Sequence, residues 1–233
     1  MSNADVGGRT TPSQEKLFKL LADESRREVL RLVADRSPTG ITPGDLAYEI
    51  AAVTNDKPLA EVTDDEHQRA RIDCQHRLLP ALKDADVLDD ENGMLVATDA
   101  LPDATLDTIR AGDDHPSNAD LETVFSALAD ERRRTVLAAL ANQSDTVSVD
   151  ALARVVAQRE PSADDTTAAV DSIRTSLVHV HLPLLADADL IKYETESGQV
   201  IAADTAAQCV SWFESDDEGM TGECAALQSE VPL

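Results

Sequence analysis

The sequence predicts a mainly α-helical fold with small β-hairpins, arranged as two tandem domains. Three observations predict it. The stretch Phe18 to Val33, FKLLADESRREVLRLV, returns as Phe125 to Leu140, FSALADERRRTVLAAL. Apolar residues fall at helical spacing, as in Leu121, Val124, Phe125 and Leu128 at i, i+3, i+4 and i+7. In each copy a turn tip, Glu91-Asn92-Gly93 or Glu196-Ser197-Gly198, lies between two short apolar runs, which is a hairpin signal. A repeat of about a hundred residues is a domain repeat, because solenoid periods run about 20–50.

The elements follow in chain order. Residues 1–12 are small and polar and are expected to be disordered. Ser13 can cap a helix carrying Leu17, Phe18, Leu20 and Leu21. Asp23 reads as the cap of a second helix, roughly 24–36, with Val29, Leu30 and Val33 inward; Asp130 does the same for 131–142. Thr42 followed by Pro43 starts a third helix, to about Val53, with Leu46 and Ile50 inward. Its counterpart starts at Ser148 and carries Leu152 and Val156.

Thr63 and Glu66 have capping-box spacing and open a helix over roughly 64–79; Ser162 and Asp165 open another over roughly 163–182. Leu79-Pro80 and Leu182-Pro183 then align, and each proline should kink or break its helix. The stretch from Phe18 to Pro80 is four residues longer than that from Phe125 to Pro183. Domain 1 is expected over 13–110, a linker over 111–119, domain 2 over 120–213 and an acidic tail over 214–233.

Composition narrows the setting. The 233 residues carry a formal net charge of −25, with 45 Asp and Glu against 20 Lys and Arg. Few lysines, few aromatics and a core rich in Ala, Val and Leu suggest a protein working in molar salt. The Debye length there is about 3 Å, so an acidic surface repels itself little. Hydrophobic residues make up 42% and follow helical periods, so most of the chain should fold rather than stay disordered. No apolar run reaches 18 residues and MSNADVGGRT is no signal peptide, so a cytoplasmic protein outside the membrane is expected. Cys74, Cys209 and Cys224 are odd in number and far apart, which fits neither a disulfide framework nor a zinc motif.

Three helices, a turn, a further helix and a hairpin form the order of a winged helix-turn-helix. LFKLLADESRREVLRLV resembles the opening of the ArsR-type transcription regulators, with their Leu-Ala-Asp-x-x-Arg…Ile-Leu pattern. His181-Leu182-x-x-Leu185-x-x-Ala188-x-Leu190-Ile191 resembles the end of their recognition helix and the start of their wing. Repeat 1 keeps Leu79, Leu82, Ala85, Val87 and Leu88 of that pattern. The doubled form with its Leu-Pro is similar to a family of tandem winged-helix proteins of unknown function in haloarchaea. The ArsR recognition helix has no proline at Pro80 or Pro183, and its metal-sensing cysteine pair is absent here. No metal or other cofactor is expected. The resemblance implies binding of double-stranded DNA, by a pseudo-dimer within one chain or by a homodimer of chains.

A helix-turn-helix reads DNA through exposed side chains of its second helix. In repeat 1 that helix offers His67, Gln68, Arg71 and Gln75 to base edges, with Arg69 and Arg77 reaching phosphates. The bland alternative is a solvated face, since Asp64, Asp65, Glu66 and Asp73 share the helix. Repeat 2 offers only Arg174 against Asp164, Asp165 and Asp171, so it is expected to be structural. Both wings are acidic at Asp89-Asp90-Glu91, Glu194 and Glu196, and are not expected to grip phosphates. Arg26, Arg27, Arg31 and Arg132 to Arg134 are the basic clusters; ion pairs with Asp23, Glu24 or Glu28 and their equivalents are favoured for Arg26 and Arg133.

Cys74/His76 and His179/His181 lie two apart on a helix, pointing about 200° away from each other, so packing or capping is favoured over chelation. No nucleophile–base set, phosphate loop or carboxylate pair stands out, and the chain is not expected to be an enzyme. The expected function is a cytoplasmic DNA-binding transcription regulator. The alternative is a module of winged helices that lost the DNA face and binds a protein partner.

Overall fold

The computed structural model describes residues 13–111, 120–141, 143–159 and 167–213. The chain is mainly helical with two small antiparallel sheets, and it divides into two compact units, Met1–His115 and Pro116–Leu233. The expected disordered N-terminus, most of the linker, the Ser162/Asp165 capping box and the acidic tail lie outside the described residues.

In unit 1 the Ser13 hydroxyl accepts from the Lys16 N–H and opens α1 (Gln14–Leu21). The Asp23 carboxylate accepts from the Arg26 N–H and opens α2 (Glu24–Ala34). Phe18, Leu21, Val29, Leu30 and Val33 are fully buried between these helices and the elements that follow. Thr42 caps α3 (Pro43–Thr54), with Pro43 at the first helical position, where its missing N–H costs nothing. Just before it, Ile41 exchanges backbone hydrogen bonds with Leu95, making a one-residue third strand. Gly40 leads into that bridge with φ +79°, and a Cβ there would sit 2.9 Å from the Leu95 carbonyl oxygen. Only glycine meets both conditions.

The Thr63/Glu66 capping box forms and opens α4 (Asp64–Asp73). The helix does not end near 79. It widens into a π-turn over Cys74–Leu78 and resumes as α5 (Leu79–Lys83). Pro80 has no N–H and its ring would strike the carbonyl four residues back, so one wide turn, closed by Leu79 N–H to the Cys74 carbonyl, carries the chain past it. The hairpin pairs β1 (Leu88–Glu91) with β2 (Met94–Ala97) from Leu88↔Ala97 to Glu91↔Met94. Asn92 and Gly93 at its tip have φ of 56° and 83°, the left-handed pair that a two-residue type I′ turn requires. A sixth helix, α6 (Asp103–Ala111), follows and buries Ile109.

Unit 2 runs in the same order. It comprises α7 (Leu121–Leu128), α8 (Glu131–Ala141), β3 (Val147–Ser148), α9 (Val149–Arg159) and α10 (Thr167–Ser176). A second π-turn, Leu177–His181, precedes α11 (Leu182–Asp187) and again answers a proline, Pro183. The sheet, in order β3-β5-β4, adds β4 (Ile191–Glu194) and β5 (Gln199–Ala202), and α12 (Ala206–Val210) closes the unit. Phe125, Leu128 and Leu137 are fully buried. Trp212, just past α12, packs on Phe125 with ring centroids 5.3 Å apart.

Candidate nucleic-acid interface

The six expected contact residues lie on α4 and its π-turn, and the fold separates them into two sets. His67 is not an outward-facing reader. Its ring stacks flat on Tyr48 of α3, with centroids 3.6 Å apart and planes 6° from parallel. Its Nε2 lies 3.3 Å from the Gly44 carbonyl oxygen. An aromatic neighbour one helix away explains this better than any feature of α4 itself.

Arg69 and Arg77 are held by carboxylates. Arg69 pairs with Asp65, one turn back, at 3.0 Å on an open surface. Arg77 donates through Nε and a terminal nitrogen to both Asp73 oxygens, at 2.7 and 2.8 Å, and through the other to Asp23 at 3.0 Å. This fork pushes the Arg77 guanidinium above its ordinary value and holds the Asp73 carboxyl below its own, against the opposing effect of burial. Asp23 also caps α2, so Arg77 ties the π-turn to that helix start.

Gln68, Arg71 and Gln75 remain. All three are exposed, and among the described residues none has a side-chain hydrogen bond or ion pair. Their spacing of three and four puts them on one stripe of the helix. Arg71 and Gln75 also line a cleft of about 770 Å³ beside Pro43, Gly44 and Lys83. At the start of α4, Lys57 and the Thr63 N–H donate to Glu66 and hold its carboxyl down to about 2. That carboxylate therefore stays charged, and the helix start stays acidic.

The hairpin of unit 1 is acidic too. Lys83 donates to Asp90 at 3.2 Å and the Gly93 N–H donates to the same side chain, and these two contacts, the first the larger, hold its carboxyl below the ordinary carboxylate value. In unit 2 the equivalent helix has its arginine engaged: Arg174 pairs with Asp150 of α9 at 2.6 Å. Thr175 turns its hydroxyl back to the Asp171 carbonyl.

Three arginines of the basic clusters, Arg27, Arg133 and Arg134, donate to carbonyls at helix ends. Arg27 donates to the Leu21 and Ala22 carbonyls at 2.8 and 3.0 Å, and Arg134, its counterpart, to the Leu128 carbonyl at 2.7 Å. These are carbonyls left unbonded at a helix end. The ion pairs expected for Arg26 and Arg133 exist only at 4.0 Å, and Arg133 spends its donors on the Ala127 and Ser126 carbonyls instead. Arg31 pairs with Glu28 at 2.5 Å. His181 is buried, with Nδ1 3.6 Å from Asp130, whereas His76 and His179 are exposed. Burial pushes the Cys74 thiol up to about 11 and that of Cys209 up to about 12. Among the described residues no group of three His, Cys, Asp or Glu side chains is placed to hold a metal ion.

The family described as Domain of unknown function (DUF7344) matches the chain twice, over residues 18–96 and 125–201. The chain belongs to the DUF7344 family. Each match begins at the aligned phenylalanine, Phe18 or Phe125, and ends within the second strand of a hairpin, β2 or β5. A DUF7344 match thus runs from within the first helix of a unit, α1 or α7, into the second strand of its hairpin, while α6 and α12 fall outside it. No curated protein and no solved structure matches the chain. Among the described residues no helix is long and apolar enough to cross a membrane.

Sequence reasoning missed one residue of this face. Ile72, beside Arg71, is 50% exposed although it is large and β-branched. Its place between Gln68 and Gln75 was the available signal.

Proposed function

We propose that this DUF7344 chain is a sequence-specific, double-stranded-DNA-binding transcription regulator of ArsR-like winged-helix type, working in a cytoplasm of molar salt. The observation that carries the reading is the uncommitted stripe Gln68–Arg71–Gln75 on α4, in a unit where the other arginines of that helix are paired. Arginine pairs bidentately with guanine and glutamine with adenine, and an unpaired side chain need break nothing to do so. The order of helices, the third-strand bridge Ile41↔Leu95 and the hairpin support the winged-helix assignment. Unit 1 supplies base readout. Unit 2, with Arg174 engaged by Asp150, serves as scaffold or pairing surface, in a pseudo-dimer or a homodimer.

Little of the affinity comes from counterion release. With a net charge of −25 and an acidic hairpin, few phosphates are neutralised, so the dependence on salt is shallow. A second reading, contact with a protein partner, is favoured for unit 2. Val180 and Leu184, one turn apart, are 49% and 43% exposed where unit 1 carries Arg77 and Ala81.

The test is selection from a random duplex library in molar KCl, followed by gel shifts at several KCl concentrations. Enrichment of a defined sequence is expected. Absence of any enriched sequence at every concentration contradicts the reading and leaves the protein-contact alternative.

A further inference from the structure

We infer that Ile72 is a specificity-determining residue that reads the C5-methyl group of a thymine, so that the recognised half-site contains a thymine beside its adenine and guanine positions. The inference rests on the DNA reading above and deepens it. At about 100° per residue, Arg71, Gln75, Gln68 and Ile72 fall in that order across an arc of about 100° on α4. Cys74, which is buried, and His67, which is stacked on Tyr48, lie about 40–60° beyond the Arg71 edge of this arc, so the stripe begins beside the packed face and Ile72 stands farthest from it. The helix therefore has a packed side facing α3 and an outward stripe of two amides, a guanidinium and one branched alkyl group.

A single exposed apolar side chain on a protein surface is ordinary. Ile72 differs in its neighbours. It sits within one turn of three side chains whose donors and acceptors match base edges and are unengaged among the described residues. A polar residue at its place would be the ordinary choice for a solvated helix; an alkyl group there matches the only apolar feature in the major groove, the thymine methyl. Unit 2 has Thr175 at the corresponding place, with its hydroxyl already bound to the Asp171 carbonyl. The larger alkyl group thus lies in the unit whose arginine is uncommitted, while unit 2 keeps only the threonine methyl beside a paired arginine.

The experiment uses the full chain and the DNA sequence it selects. Each thymidine is replaced in turn by deoxyuridine, which removes only the methyl group, and binding is measured for wild type, Ile72→Ala and Ile72→Val. Wild type is expected to lose about fourfold at one position, the factor for one buried methyl-sized group. Ile72→Ala should lose about as much on the thymine duplex and should no longer distinguish thymine from uracil there, while Ile72→Val retains the distinction. Discrimination that survives in Ile72→Ala, or is absent in wild type at every thymine, overturns the inference and leaves the DNA reading standing. The deoxyuridine scan with wild type needs no variant to fold. If wild type selects no sequence at all, both fall, and Ile72 belongs to a protein contact instead.

Discussion

His67 lies face to face with Tyr48, 3.6 Å away between ring centroids and 6° from parallel, which fixes α4 on α3. A stacked pair of this kind contributes about 0.5–1.5 kcal/mol beyond the area it buries. Tyr48→Ala and His67→Ala should each destabilise unit 1 by roughly 1–2 kcal/mol, and the double variant by less than their sum. A thermal-denaturation double-mutant cycle measures this. Full additivity would mean the two rings do not act as a pair.

Glycine at position 40 should be irreplaceable, in contrast to glycine at position 44. Gly40→Ala places a Cβ 2.9 Å from the Leu95 carbonyl oxygen at a left-handed φ, and the left-handed conformation alone costs about 1–2 kcal/mol. Gly44→Ala meets nothing nearer than 3.8 Å in the first turn of α3, where alanine is the better helix former. Urea denaturation should show a large loss for the first and no loss or a gain for the second. Equal effects would contradict the bridge geometry.

Glu66 gives a pH dependence of known sign. Its folded carboxyl is held to about 2 by Lys57 and Thr63, below the ordinary 4.5. A lowered folded value means that its contribution is present above pH 4.5 and is lost as pH falls toward 2. Wild type should exceed Glu66→Gln in melting temperature at pH 7, and the gap should close on acidification through that window. A gap that stays constant down to pH 2 would remove the Lys57 contact as its cause.

Salt should matter more than heat. The charge of −25 repels itself once screening weakens, because the Debye length grows to about 30 Å at 0.01 M. Circular dichroism through a KCl dilution should show the helical signal collapsing at ordinary temperature. A signal unchanged from molar to millimolar salt would argue against adaptation to high salt.

Much of the fold was legible because each signal was local. Ser13, Asp23, Thr42 and the Thr63/Glu66 box cap the helices they were read to cap, and Asn92-Gly93 makes the tight turn. Two features were not legible. Each proline marks a kink or break in its helix but not the form it takes, a π-turn through which the chain continues; widening one turn avoids the clash while Leu78, Leu79 and Leu82 stay buried. The helices α6 and α12 were missed because they are short and the residues they bury at helical spacing, Thr105, Thr108 and Ile109 in one and Ala206, Cys209 and Val210 in the other, are mostly small or polar. The candidate face was legible in residue type and not in availability. Nothing in α4 itself announces that Tyr48 takes His67 or that Asp23 reaches Arg77 across 54 residues.

That availability separates Arg71 from Arg174 and makes the two arginines the decisive comparison. Arg71 is exposed and uncommitted on α4, while Arg174 is paired with Asp150 at 2.6 Å. The measurement is equilibrium binding of wild type, Arg71→Ala and Arg174→Ala to the selected duplex across KCl concentrations. Losing a bidentate arginine–guanine contact costs about 1–3 kcal/mol, so Arg71→Ala should bind tenfold or more weaker, with sequence preference relaxed at one position. Arg174→Ala loses only an exposed ion pair, whose contribution is at most about 1 kcal/mol of stability, and should bind nearly as wild type does. Equal losses from the two variants, or no sequence-specific binding by wild type at any salt, would contradict base readout by unit 1.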